Sequence, residues 1–528
     1  MGFPLWSTDE NVGFQFSWTT IAREVEGGHK ICHQPSRTTR NDLVVAEGSS
    51  GPITPAGSTN EVPITTFPAS LLPSLSPVVK FLRTLPLPTT HPNHPAAKEI
   101  ARLLSEAQKG YAEMRGQWCV KCIDGQGKRL IARANEVDPL VTGREFGEWV
   151  ELLLGCAEEE YKLLLELSPL PSSSSLANSF GVLMSPIMRL FANILNSLIA
   201  LSKKNLQRYS FLALSAYEAL LGLQVHWEEV LSKANSALRE KNEFKDGLVQ
   251  LRSLCLRSFP EFLVDLKMGA NPRNESDIAT KIHPLTRETV KYLAKIPEVR
   301  EAVTSALVVL GDGNWKMGEG VMVGVKKPPN AGIGEGEEGL VLEHFLHDVV
   351  QTAIASLTNI SRVARRPAFG SIFLLNNITY LRGQVLDTIG GLLGTSTRDF
   401  LTSSARTSKA TYFDANFSPL MQALADEGGK GTMKKDLVKE KFTRFYDLFD
   451  EVMERHRMVL IFADWADSGG LDERESLGEE VVRMIVPSLT RFVQKQKDRD
   501  FSKNPGKYIK QKPDELEAQI RNVFGASG

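Results

Sequence analysis

From Pro73 to the end of the chain, apolar residues recur at spacings of three and four in one segment after another, and almost nowhere at spacings of two. Ile100, Leu103, Leu104 and Ala107 form such a stripe in HPAAKEIARLLSEAQKGYAEMRGQW. Trp149, Leu152, Leu153, Cys156 and Tyr161 form another in FGEWVELLLGCAEEEYKLLLEL. SPIMRLFANILNSLIALSKKNL and FLALSAYEALLGLQVHWEEVL are stronger still. The best strand candidate, MVGV, is only four residues long. These patterns predict an all-α protein of antiparallel helices with short connections. The helices are amphipathic in series, without one very apolar central element, which suits stacked bundles.

The punctuation predicts where helices stop. Pro169 to Ser175 is a break, and Pro260 starts a new turn within LRSLCLRSFPEFLVDL. Residues 311–339 form the clearest internal loop, and Lys326 to Gly339 is expected to be its mobile half. Leu375, Ile378, Leu381, Val385, Ile389 and Leu392 make the next stripe, and residues 402–432 read as mixed and polar. Phe442, Phe445, Phe449, Val452, His456 and Val459 then alternate threes and fours. DWADSGG is a loop. Val481, Val482, Ile485, Val486, Leu489 and Phe492 follow on one face, with Arg491 and Lys495 turned away. Residues 1–72 are rich in Ser, Thr, Pro and Gly and carry no sustained period, so disorder is expected there. The helical text divides into bundles over 73–245, 246–418 (with the 311–339 loop) and 419–528.

Most chemistry is excluded. A composition of 42% hydrophobic and 24% charged residues is that of an ordinary globular chain. No run of about 18 uncharged apolar residues is found, so no spanning segment is expected. MGFPLWSTDENV lacks a signal peptide's basic and apolar regions, and Trp6 stands where a myristoylation signal needs Ser or Thr. GASG is no prenylation box, and five cysteines at odd spacing make no disulfide framework. The reading is cytoplasmic, with any membrane contact peripheral. Gly334-Glu335-Gly336-Glu337-Glu338-Gly339 fits a dinucleotide pattern by letter, but its glutamates repel phosphate and no solid strand precedes it. Cys119 and Cys122 form a lone CxxC without a second ligand pair, read as two thiols at a helix end. His344, His347 and Asp348 lack an HExxH context, and His456 lies within an apolar stripe, so all three histidines read as hydrogen-bonded or half-buried. With no GxSxG and no supported carboxylate pair, neither an enzyme, a cofactor nor a metal is expected.

One segment has a physical case for binding. Arg491 to Lys512 holds eight basic residues against Asp498 and Asp500, a net of +6, on a chain whose formal net charge is −1. Such a local field prefers an anionic partner. Tyr508 and Ile509 between Lys507 and Lys510 favour a membrane surface, where an apolar body can rest at the headgroups. No nucleic-acid module supports the other anionic choice. Pro513, Asp514 and Glu515 suit a helix start, after which Leu516, Ile520, Val523 and Phe524 share one face.

This tail, Lys503-Asn504-Pro505-Gly506-Lys507-Tyr508-Ile509-Lys510 and its terminal helix, resembles the close of the family of the exocyst complex's seventy-kilodalton subunit. His283-Pro284-Leu285-Thr286 and Phe373-Leu374-Leu375-Asn376-Asn377 match the same family in its order and spacing. The resemblance runs from about Pro73 to the end. It implies an elongated rod of stacked antiparallel helical bundles and a non-enzymatic tethering subunit that links secretory vesicles to the plasma membrane during exocytosis. The implied partners are other exocyst subunits, Rho-family GTPases and phosphatidylinositol 4,5-bisphosphate, with recruitment to the plasma membrane at sites of polarised secretion. Lys503, Lys507 and Lys510 carry over from the family's basic motif, and Arg499 and Lys512 join them by charge. The family opens with a long coiled coil, whereas residues 1–72 carry no heptads, so the chain as written is expected to enter the exocyst poorly. A generic α-helical protein-interaction scaffold without lipid binding is the alternative.

Overall fold

A computed structural model describes residues 71–85, 96–269, 281–317, 335–364, 366–425, 434–459, 461–462, 470–497 and 501–525. The expectations for residues 1–70, for the MVGV run, for most of the DWADSGG loop and for Arg499 lie outside these residues. Among the described residues there are helices and no strand. The α-helices are α1 (Leu72–Arg83), α2 (Ala97–Arg133), α3 (Pro139–Leu167), α4 (Ser173–Lys204), α5 (Leu206–Ser232), α6 (Ser236–Glu240), α7 (Glu243–Met268) and α8 (Pro284–Lys295). They continue as α9 (Arg300–Leu310), α10 (Glu335–Val363), α11 (Pro367–Ile389), α12 (Thr395–Leu424), α13 (Lys435–Met458), α14 (Gly470–Lys497) and α15 (Pro513–Phe524). The chain divides into two compact units, residues 1–204 with 216–251, and 205–215 with 252–528.

In the first unit α2 packs along α4 and α3, and α1 lies on α3. α2 runs on through Gly125 and Gly127, past the helix end expected at Cys119 and Cys122. The reason is tertiary: a Cβ at Gly127 would stand 3.0 Å from Ile194 and 3.1 Å from Trp149, so glycine allows a close helix approach there. Cys119 and Cys122 are therefore mid-helix, not at a helix end. The core is aromatic: Phe191 sits 4.8 Å from Trp227, which stacks on Phe244 at 4.5 Å between ring centres. Arg115 and Glu160 form a buried ion pair, with Nε donating to Oε2 at 2.8 Å. Arg83 donates to the free carbonyls at the end of α3, those of Leu165, Glu166 and Ser168. By length and composition α4 is apolar enough to cross a membrane, which the sequence reading does not anticipate. More than half of its apolar window is buried within the protein, as in the core helix of a bundle.

In the second unit α11 is packed by α8, α10 and α12. Residues 370–379 are buried on every face, although Ser371, Asn376, Asn377 and Thr379 are polar, so the central helix is enclosed rather than very apolar. α12 runs through the mixed, polar stretch noted over residues 402–432 as far as Leu424, and residues 426–432 lie outside the described residues. Its buried positions Leu401, Ala405, Ser408, Tyr412 and Asn416 keep a spacing of three and four. Its outward hydroxyls bond their own helix, as Thr402, Thr407 and Thr411 do to carbonyls four residues back. Pro260 lies inside an unbroken α7 rather than starting a turn. The 311–339 loop is shorter than expected at its far end, because α10 begins at Glu335. Its near end is anchored by Trp315, buried and donating its indole N–H to Asp348 at 2.9 Å.

Candidate functional site

The basic segment is placed by the helix that follows it. Leu516, Ile520, Val523 and Phe524 of α15 are all buried, and α15 packs on α14 and α13. A Cβ at Gly478 of α14 would fall 2.6 Å from the Cβ of Phe524, so only glycine admits the final aromatic at this depth. Pro513 takes the first helical turn, and Glu515 Oε2 accepts from the Lys512 N–H at 3.0 Å. Upstream, the Phe501 ring is buried 5.4 Å from Phe442 of α13. Tyr446 of α13 donates its hydroxyl to the Gln511 carbonyl at 2.9 Å. Residues 501–512 are thus fastened at both ends to one helix.

Between these anchors Pro505–Lys507 form a single 3-10 turn, and the Pro505 carbonyl accepts from Tyr508 and Ile509 at 3.0 Å each. Tyr508 and Ile509 are half-buried against the core of the second unit. They hold the turn down. Lys503, Lys507, Lys510 and Lys512 are all exposed. Lys510 reaches Asp447 of α13 at 3.3 Å, a solvent-exposed pair of little energetic weight. Lys503, Lys507 and Lys512 have no ion-pair partner among the described residues. Lys439 of α13 adds a fifth cation, 6.0 Å over the Tyr508 ring and paired with Asp436 at 2.8 Å. Nothing in the linear sequence links Lys439 or Asp447 to the tail; only the packing of α13 under it does.

The other sites weighed from sequence resolve into ordinary packing. Cys119 hydrogen-bonds Cys156 on α3, and that bond together with burial pushes its thiol far up from the usual range, away from reactivity. His344 meets Asp312 at 2.8 Å and His347 meets Thr397 at 2.9 Å. His456 is buried between the Tyr412 hydroxyl, at 2.8 Å, and the Val452 carbonyl, at 2.7 Å. Burial lowers its pKa to about 4, so it is neutral near pH 7.

The two interior motifs meet. Asn377 of α11 accepts from the His283 N–H and from the Thr286 hydroxyl, each at 2.7 Å. Its amide donates to the carbonyls of Lys281 at 3.2 Å and Phe373 at 2.9 Å. HPLT is thus a helix start, capped by His283 and clamped by the second asparagine of FLLNN.

The family model for the C-terminal part of the Exo70 exocyst complex subunit matches residues 144–522. The chain belongs to that family. An Exo70 exocyst complex protein of Gibberella zeae is 22% identical over 447 residues, covering 79% of this chain and 66% of that protein. The Neurospora crassa exocyst complex protein exo70 is 21% identical over 327 residues, covering 56% of this chain and 50% of that protein. The chain thus spans about half to two thirds of the length of the curated relatives it matches. A crystal structure of Saccharomyces cerevisiae Exo70p is 18% identical, with a TM-score of 0.54 over 87% of this chain and 82% of that one. The Exo70 helical fold is shared. The matched region takes in both HPLT and FLLNN and all but the end of α15.

Proposed function

We propose that this chain works as a non-enzymatic tethering subunit of the exocyst, holding secretory vesicles at the plasma membrane through a basic surface at its C-terminal end. What carries the reading is a set of exposed lysines, three of them without carboxylate partners, on a segment fastened to the body of an Exo70-family fold. Unpaired ammonium groups are already solvated and need break no ion pair to meet anionic lipid, and each contributes about 1 kcal/mol near such a surface. Phosphatidylinositol 4,5-bisphosphate is the proposed headgroup. The proposed protein partners are other exocyst subunits and Rho-family GTPases. The protein is cytoplasmic in this reading and joins the plasma membrane peripherally at sites of secretion.

The test of the tethering role is affinity purification of the tagged protein from its own cells. Weak, substoichiometric recovery of other exocyst subunits is expected, since residues 1–72 carry no heptads. Their absence, with the protein intact and folded, would favour the scaffold alternative instead.

A further inference from the structure

The second unit carries a cleft whose lining shares no residue with the lysine surface. Leu375 of α11, Phe462 and Leu477 of α14 form an apolar floor. Arg382, Arg406, Lys409 and Glu473 stand around it. The volume is about 140 Å³, below the roughly 300–1,000 Å³ of cofactor sites but enough for one aliphatic side chain.

The rim has a charge excess. Arg382 reaches Glu473 at 3.0 Å and Lys409 reaches Glu480 at 2.5 Å, while Arg406 is exposed with no partner among the described residues. Three cations therefore face two carboxylates, an excess of one positive charge. Phe462 is a core residue that also lines the cleft. Its φ of 59° lies in the left-handed region, which an aromatic residue rarely enters, and the buried Asn376 accepts from its N–H at 3.2 Å. The Asn376 bond and the packing of Phe462 in the unit's core together hold this backbone. This sets the Phe462 ring in the cleft.

An apolar floor under a cationic rim matches a group that is itself apolar with an anion beside it. A phosphate presents oxygen on all sides and leaves such a floor unmatched. We propose that this cleft docks a short acidic segment of a partner protein, with one aliphatic side chain on the floor and a neighbouring carboxylate on Arg406.

The experiment is fluorescence anisotropy on the full chain with a fluorescein-labelled peptide holding one leucine between pairs of aspartates. Binding with a Kd of roughly 100 µM is expected for so small a contact. Arg406→Glu, an exposed substitution checked by an unchanged melt, should weaken it about tenfold. A peptide with serine in place of leucine should lose a similar factor. A Lys507→Ala, Lys510→Ala variant should bind the peptide like the parent. No binding by the parent, equal binding by Arg406→Glu, or equal binding of the serine peptide would overturn the proposal. So would loss of binding in the double lysine variant, which would move the contact to the tail. Displacement by inorganic phosphate beyond that by chloride at equal ionic strength would make the cleft a simple anion site, and overturn it too.

Discussion

Asn377 shows how much one side chain can carry. It is fully buried and makes four hydrogen bonds, two of them at the start of α8. Asn377→Ala leaves the His283 N–H and the Thr286 hydroxyl without their acceptor, and should cost about 3 kcal/mol or more. Chemical denaturation followed by helical signal measures this; a loss under about 1 kcal/mol would deny the clamp. His456 gives the second prediction. Its folded pKa, about 4, lies below the ordinary 6.5, so the folded state binds fewer protons than the unfolded one in this range. The stability it supplies is whole above about pH 6.5 and fades as pH falls toward 4. Between pH 7 and pH 5 the loss should be about 2 kcal/mol, seen as a drop in melting temperature that His456→Gln largely removes. An equal drop in both proteins would place the acid sensitivity elsewhere. Tyr412, Arg455 and Arg474 surround the ring, and both arginines act in the same direction as burial.

At the scale of elements, the tail is a surface built jointly by residues 501–512 and α13. Asp447 of α13 is an acidic member of it, against Lys510, as Asp436 is against Lys439. Asp447→Asn removes a negative charge from the patch and should tighten binding to anionic vesicles about fivefold, with little effect on the melt. Unchanged or weaker binding would separate α13 from the lipid surface. The elements also show what a sequence discloses. Phe442 to His456 and Leu516 to Phe524 are legible because their apolar spacing coincides with the buried face. α12 is not, since its stripe runs through Ser408 and Asn416, which are buried without being apolar, and through the small Ala405. The length of α2 was hidden by Gly127, whose breaking tendency is outweighed by contact with Ile194 and Trp149. The four tail lysines are legible as charge, while the half-burial of Tyr508 and Ile509 is not, since it comes from the ring of Phe501 and the core beneath. Lys439 and Asp447 had no local signal at all, being brought to the tail by tertiary packing alone.

For the whole molecule, helices without strands among the described residues predict a far-UV circular dichroism spectrum of more than about 60% helix, and a strong strand component would contradict the fold. The central claim is that such a helical body meets membranes through Lys507 and Lys510. Replacing both with alanine removes two exposed charges, one of them paired with Asp447 and 6.0 Å over the Tyr446 ring. The fold should stand, because exposed lysines contribute little to stability. Binding should fall by about 2 kcal/mol, or about thirtyfold, and the difference should shrink as salt rises. The deciding measurement is sedimentation with liposomes containing phosphatidylinositol 4,5-bisphosphate, run on the parent and on Lys507→Ala, Lys510→Ala across a salt series beside a thermal melt. The expected result is a large loss of sedimentation at low salt with an unchanged melting temperature. Equal sedimentation of the two proteins at low salt, or a lowered melt with unchanged lipid binding, would contradict a membrane role for this surface.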